Sequence, residues 1–226
     1  MRLMPKSTDS VIVNPVIEKY LEELARPRDK VLSDLEKDAA KNSVPIIGPL
    51  CGNILTVIAT GCHAKFILEV GTATGYSGIL FARVVQKNSG KLTTIELDQK
   101  RIATARKSFS EADVSESVEV LEGDAKEIVP KIAETQKGRF DVVFLDVGDK
   151  SIYVDLLEPC IDALRVGGYL IADNALRWGY VSVPSDNTND ASAMRKFNKL
   201  VYRDNRLLPA LIPMREGMIV CLKTGD

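Results

Sequence analysis

The sequence predicts an α/β domain: a mostly parallel, seven-stranded sheet with helices on both faces and an antiparallel pair of strands at its C-terminal end. Three observations predict it. After Lys65, short apolar runs rich in Val, Ile and Phe alternate with longer amphipathic segments, which is the pattern of repeated βα units. Those runs are nearly continuous rather than alternating in polarity, as expected of strands covered on both faces. The chain has 226 residues, enough for one such domain with a small helical extension, and it has no internal repeat or composition break. The chain thus divides into a helical extension over residues 1–64 and an α/β core over 65–226, both parts of a single domain.

From Asn14 to Thr60 the spacing is helical. Val16, Ile17, Tyr20, Leu21 and Leu24 share one helix face, and Val31, Leu32 and Leu35 share another. Breaks at Pro27 and over Pro45–Pro49 make three helices. Strands follow at Phe66–Val70, Leu92–Glu96, Val118–Glu122, Asp141–Asp146 and Tyr169–Asp173. Helices are expected between them at Ser77–Gln86, Lys100–Ala112, Ala125–Glu134 and Tyr153–Leu164, the last because Leu156, Leu157, Ile161 and Leu164 recur at helical spacing. Gly167-Gly168 reads as the turn into the fifth strand. The polar run Pro184–Asp190 reads as a surface loop, followed by a helix at Ala193–Tyr202 and two β-like runs, Arg206–Ile212 and Met218–Leu222. The short link Pro213–Gly217 makes these last two an antiparallel pair.

Charge and cysteine usage narrow the function. Thirty Lys and Arg against 31 Asp and Glu leave a formal charge of −1, which argues against a nucleic-acid partner, because phosphate-tracking proteins concentrate basic residues. The first ten residues lack the apolar core of a signal peptide, and no run approaches the roughly 20 apolar residues that cross a bilayer. A cytoplasmic protein with no membrane partner is expected. Cys51, Cys62, Cys160 and Cys221 form no C-x-x-C pair and read as small buried hydrophobes. His63 is the lone histidine, with no nucleophile motif beside it, so a Ser/His or Cys/His mechanism has no support.

In an open α/β sheet, ligands bind outside the carboxyl ends of the strands, near the point where strand order reverses. The first strand runs into F-I-L-E-V-G-T-A-T-G-Y-S, where Gly71 and Gly75 permit a tight turn and a close approach to a ligand. Ala73 stands where a dinucleotide fingerprint would have its second glycine, which weakens a nicotinamide reading. Glu69 precedes that turn, and Glu96 ends the strand in T-T-I-E-L-D, 25 residues after Gly71. At a strand tip, Glu96 is placed to accept hydrogen bonds from both hydroxyls of a ribose. An acidic lining favours a cationic sulfonium nucleoside, S-adenosylmethionine, over an anionic pyrophosphate. Asp124, in E-G-D-A, is placed either to meet an adenine amino group or to cap a helix.

Strands four and five end in F-D-V-V-F-L-D and G-Y-L-I-A-D-N. If they are neighbours, Asp146, Asp173 and Asn174 converge at one edge. Such an all-oxygen set suits a hard divalent cation, Mg²⁺ first and Ca²⁺ or Mn²⁺ next, rather than zinc. Acidic residues also end many parallel strands that hold no metal.

With these pieces assembled, the chain resembles the metal-dependent O-methyltransferases of the catechol and caffeoyl-CoA type that use S-adenosylmethionine. The matching segments are E-V-G-T-A-T-G-Y-S, T-T-I-E-L-D, E-G-D-A, F-D-V-V-F-L-D, L-R-V-G-G-Y-L-I-A-D-N, and a tail from R-K-F-N-K-L-V-Y-R-D to L-I-P-M-R-E-G-M-I-V. They occur in order between Tyr20 and Lys223. The resemblance implies a Rossmann-like class I methyltransferase fold, a homodimer and a small hydroxylated, catechol-like acceptor. Residue by residue, it implies cofactor contacts from Glu69, Gly71, Tyr76, Ser77, Glu96, Asp124, Ala125 and Asp146, and metal ligation by Asp146, Asp173 and Asn174. It further implies in-line transfer of the sulfonium methyl to a hydroxyl, with Asp146 and Lys150 as catalytic residues and the N-terminal helices covering the acceptor site or forming a subunit contact.

Two positions depart from the family pattern. The family's catalytic lysine follows the first metal aspartate by three positions, whereas D-V-G-D-K places Lys150 four positions on. Lys150 serves if Gly148 absorbs the extra residue in a bulge; otherwise the base comes from elsewhere. Relatives carry an aromatic residue three positions after the asparagine, where this chain has Arg177, followed by Trp178. Arg177 reads either as a contact for an acidic or phosphate-bearing acceptor or as a surface arginine, and Trp178 as packing or as a substrate wall. Two other functions compete: a nicotinamide-dependent oxidoreductase on the same layered fold, and a cofactor-binding protein with lost or altered transfer activity.

Overall fold

A computed structural model of the chain describes residues 14–25 and 28–226. The leader-free start read from residues 1–10 and the break at Pro27 lie outside the described residues. Three helices open the fold, α1 (Pro15–Leu24), α2 (Lys30–Asn42) and α3 (Gly48–Gly61). Each of the first two starts on a side-chain cap: the Asn14 carboxamide accepts from the Val16 amide ahead of Pro15, and Asp29 accepts from the Leu32 amide. Leu32 and Leu35 of α2 are buried as their spacing predicted, whereas Val16, Ile17, Tyr20 and Leu24 of α1 are exposed.

The core then alternates β1 (Phe66–Val70), α4 (Tyr76–Lys87), β2 (Lys91–Glu96), α5 (Gln99–Glu111), β3 (Val118–Glu122), α6 (Ala125–Thr135), β4 (Phe140–Leu145), α7 (Tyr153–Ala163) and β5 (Leu164–Ala172). It ends with α8 (Asn189–Arg203), β6 (Leu207–Ile212) and β7 (Met218–Lys223). The seven strands form one sheet in the order β3-β2-β1-β4-β5-β7-β6. The first five are parallel, and β7 runs antiparallel to both β5 and β6. This is the Rossmann-like arrangement that the alternating pattern predicts.

The continuous apolar runs have a direct structural meaning. On β4, Val142 and Phe144 face one core, packed with Phe81 of α4 and Leu55 of α3, while Val143 and Leu145 face the other, packed with Leu156 and Ile161 of α7. Every second residue serves a different layer, so none can be polar without cost.

Three sequence expectations require correction. Gly167-Gly168 is not a turn before the fifth strand but a bulge within it. Leu164 already pairs with Phe140, and regular pairing resumes at Tyr169 with Val142. Gly167 sits at φ +78°, and a Cβ on Gly168 would come within 2.8 Å of the Asp141 carbonyl oxygen. Leu164 accordingly belongs to β5 rather than to the preceding helix. Finally, α8 starts at Asn189, inside the run read as loop, because Thr188 caps it by accepting from the Ala191 amide.

Candidate active site

Strand order reverses between β1 and β4, so the loops leaving these two strands diverge and open a crevice at their carboxyl ends. The ladder continues one step past each strand: the Asp146 amide donates to Val70 O (2.9 Å), the Gly71 amide to Ile95 O (3.0 Å) and the Asp173 amide to Leu145 O (3.0 Å). Strand tips are thereby locked level with one another. Gly71 lies at φ +106°, with its missing Cβ directed at the Asp146 backbone, so this contact between the β1 and β4 loops requires glycine. Above the tips lies a cleft of about 1260 Å³. Pockets for a single small ligand typically span roughly 300–1,000 Å³, so this one has room for a donor and an acceptor together.

One half of the cleft is walled by Gly71, Ala73, Glu96, Asp124 and Ala125. The Glu96 carboxylate is pinned by backbone: Oε2 accepts from the Ala73 amide (2.9 Å), and Oε1 accepts from the Leu97 (2.9 Å) and Asp98 (3.0 Å) amides. Asp124 caps α6 by accepting from the Lys126 amide through Oδ1, while lining the cleft, so the two roles read for it are compatible.

Glu69, Tyr76 and Ser77 are buried behind the loop and do not line the cleft. Glu69 Oε2 accepts from the Thr94 hydroxyl (2.6 Å) and from Ser77, its Oε1 has no partner, and burial pushes its pKa up to about 7. The Tyr76 hydroxyl donates to Glu36 Oε1 (2.6 Å), and the same carboxylate takes Nε and Nη2 of Arg28. Glu36 and Arg28, both on the cleft wall, went unnoticed in the sequence because they lie in the helical extension.

The other half is built on β4 and β5, which are parallel neighbours. Asp146, Asp173, Asn174 and Lys150 all line it. Burial, then the neighbouring Asp146 charge, raises the Asp173 carboxyl to about 7; burial likewise raises Asp146, opposed by Lys150. Asn174 lies at φ +63°, a backbone conformation asparagine tolerates better than most residues. Among the described residues, no three His, Cys, Asp or Glu side chains group as a metal site, so any metal here would rest on two carboxylates and one amide.

Lys150 reaches this half by a different route from the one foreseen. Gly148 has no left-handed backbone and nothing near its missing Cβ. Instead, Asp149 caps a short 3₁₀ turn over Lys150–Ile152 by accepting from the Ser151 amide, which rolls Lys150 inward. The Lys150 side chain is 4 % exposed, and its Nζ lies 3.6 Å from Asp146 Oδ1. It donates to Val147 O and to the Tyr153 hydroxyl (3.0 Å), which itself donates to Leu145 O (3.1 Å).

Arg177 lines the cleft and is not a surface arginine. Its guanidinium is held between Glu216 Oε2 (2.6 Å) and Asp190 Oδ2 (2.8 Å), with the side chain 14 % exposed. Two carboxylates already neutralise it. Trp178 is half-buried in the same kinked segment, at φ +56°. His63 is exposed beyond α3 and away from the cleft. Cys51, Cys160 and Cys221 are buried free thiols, and Cys62 is half-buried. No helix among the described residues is long and apolar enough to cross a membrane.

A cleft-lining residue missed in the sequence is Arg215, in the β6–β7 turn, which donates to Ile47 O. Topology was the available signal. A strand antiparallel to β5 begins where β5 ends, so the turn before β7 has to lie beside Asp173.

Known proteins share this architecture and sequence. The O-methyltransferase family model matches residues 22–224. A catechol O-methyltransferase of Niastella koreensis is 33 % identical over 200 residues, covering 88 % of this chain and 90 % of its own. Among solved structures, an O-methyltransferase of Streptomyces achromogenes involved in tomaymycin synthesis, in complex with SAM, has a TM-score of 0.83 at 26 % identity, covering 93 % of this chain and 96 % of that one. An O-methyltransferase of Bacillus cereus in complex with SAH has a TM-score of 0.82 at 26 % identity, covering 92 % and 97 %. These matches set aside the oxidoreductase alternative: the chain belongs to the O-methyltransferase family and is a methyl-transferring enzyme.

Proposed function

We propose that this enzyme transfers the methyl group of S-adenosylmethionine to a hydroxyl of a small catechol-like acceptor, with a divalent cation, Mg²⁺ first, assisting. The observation that carries the reading is the single cleft whose halves differ in chemistry. One offers a backbone-pinned carboxylate at a strand tip; the other offers Asp146, Asp173, Asn174 and Lys150 side by side. SAM and SAH in the solved relatives support the donor, and the Niastella relative's name supports the acceptor class.

Glu96 is positioned for the ribose hydroxyls, Asp124 for the adenine, and Asp146 for the methionine end. Two neighbouring carboxylates, with the Asp146 charge adding to burial in raising the Asp173 pKa, beside an amide oxygen, form a donor set that suits a hard cation. Asp146, Asp173 and Asn174 would hold the ion, which when bound lowers the pKa of an acceptor hydroxyl. Lys150, held against Asp146, would take the hydroxyl proton of the acceptor as its neutral amine, becoming the ammonium that Asp146 faces. The protein's larger contribution is alignment of the acceptor oxygen with the methyl carbon and sulfur, where positioning supplies roughly 7–11 kcal/mol of a barrier.

The test is methyl transfer to catechol with Mg²⁺. Loss of activity with EDTA and with Asp146→Ala is expected, and activity surviving both refutes the metal role. The same reading includes a second copy of this chain covering the exposed apolar face of α1. Light scattering is then expected to give about twice the 24.8 kDa chain mass, and a monomer contradicts it.

A further inference from the structure

The acceptor half of the cleft holds one cation with no carboxylate at ion-pair distance among the described residues, although Asp146 feels its charge. Arg177 is neutralised by Glu216 and Asp190, Arg28 by Glu36, and Lys150 lies against Asp146. The guanidinium of Arg215 has only the Ile47 carbonyl.

Its position is built from three directions. The β6–β7 turn is fastened to the loop after β5, where the Ala175 amide donates to Gly217 O (2.8 Å) and the Leu176 amide to Glu216 O (2.7 Å). From that turn the side chain crosses to Ile47, at the head of α3 and 168 positions away in sequence. There, Gly48 at φ +69° leaves open the space the guanidinium occupies; a Cβ would fall on Nη1. The α2–α3 link and the β6–β7 turn together hold a permanently charged group over the cleft.

One of its five N–H donors is used, and a guanidinium cannot shed its proton to relieve the loss of water. A neutral acceptor closing the cleft would leave that charge desolvated with four donors unused and only the more distant Asp146 charge to offset it, whereas a carboxylate would satisfy it through the planar fork.

We propose that Arg215 reads a carboxylate on the acceptor, so that the preferred substrates are catechol-type compounds bearing an acidic group. This inference rests on the catechol-like reading above and names the substrate class within it. Arg215 is then a specificity-determining residue. It takes the role that the sequence offered to Arg177, and the four remaining donors supply what Arg177 has already spent on its two carboxylates.

The experiment compares 3,4-dihydroxybenzoate with catechol, by turnover with S-adenosylmethionine and Mg²⁺ and by calorimetric binding. It uses the wild-type enzyme, Arg215→Gln and Arg215→Lys. The wild type is expected to favour dihydroxybenzoate by about tenfold or more in kcat/KM. Arg215→Gln should lower that value about 10- to 100-fold, mostly through KM, and change catechol turnover by less than about threefold, while Arg215→Lys recovers part of the loss. No preference in the wild type, or an equal loss on both acceptors, overturns the proposal and leaves the methyltransferase assignment standing. If neither acceptor is methylated, calorimetry decides. Arg215-dependent binding of dihydroxybenzoate sustains the inference and places the failure in the reaction assigned above; binding indifferent to Arg215→Gln, or no binding, overturns it.

Discussion

The two halves of the cleft are held in opposite ways. On the β1–β3 side, Glu96 is gripped by three backbone amides and Gly71 by contact with the Asp146 backbone, so the geometry is written into the main chain. On the β4–β5 side, the placement rests on side chains: Lys150 against Asp146, Arg177 between two carboxylates, Arg215 against a distant carbonyl. A backbone-built site changes little when loops change, whereas a side-chain-built one can be re-aimed by a single insertion.

Variants can break the comparison, beginning with the largest effect. Gly71→Ala places a methyl group against the Asp146 backbone at a left-handed φ and is expected to cost about 3 kcal/mol or more of stability. It should also abolish SAH binding measured by calorimetry; a stable variant with normal binding contradicts a backbone-built donor half.

Glu69 comes next. Its folded pKa of about 7 lies above the ordinary 4.5, so the fold favours the neutral acid. The associated stability is full below about pH 4.5 and is lost as pH rises through about 7. Glu69→Gln, neutral throughout, should gain on the order of 3 kcal/mol relative to wild type between pH 4.5 and pH 8, read from denaturant midpoints. A constant difference across that range argues against a buried, neutral Glu69.

Glu96→Gln puts an amide NH₂ where an oxygen accepts backbone N–H bonds. The donor KM is expected to rise about 10- to 100-fold, with a smaller change in kcat at saturation. Smallest is Arg177→Gln, expected to cost about 1–2 kcal/mol for a partly exposed triad. Its acceptor preference should stay unchanged; a lost carboxylate preference would move the role proposed for Arg215 back to Arg177.

The same asymmetry governs what the sequence reveals. Strand patterning located β1 and β3 to the residue, even though β3, V-E-V-L-E, is a partly buried edge strand. Gly71, Glu96, Asp124 and Ala125 were readable because each holds a fixed offset from a strand end. Glu69, Tyr76 and Ser77 share that motif, yet face inward, since alternate residues of a strand and successive residues of a helix point to different sides and spacing alone does not say which faces the ligand. Lys150 was ambiguous because the turn capped by Asp149, rather than a glycine bulge, takes up the extra residue. The ion pairs of Arg177 are not legible in the sequence because its partners, Asp190 and Glu216, lie 13 and 39 positions away. The Gly167-Gly168 bulge reads as a turn in the sequence because both need the same residues and differ only in whether pairing resumes on the same neighbour.

The division of labour is tested most directly by Asp173→Asn, which removes one carboxylate from the acceptor half and touches nothing on the donor side. SAH affinity by calorimetry should remain within about threefold of wild type while methyl transfer at saturating donor and Mg²⁺ falls by about 100-fold or more. Weakened SAH binding together with transfer that recovers at high donor concentration would contradict the account.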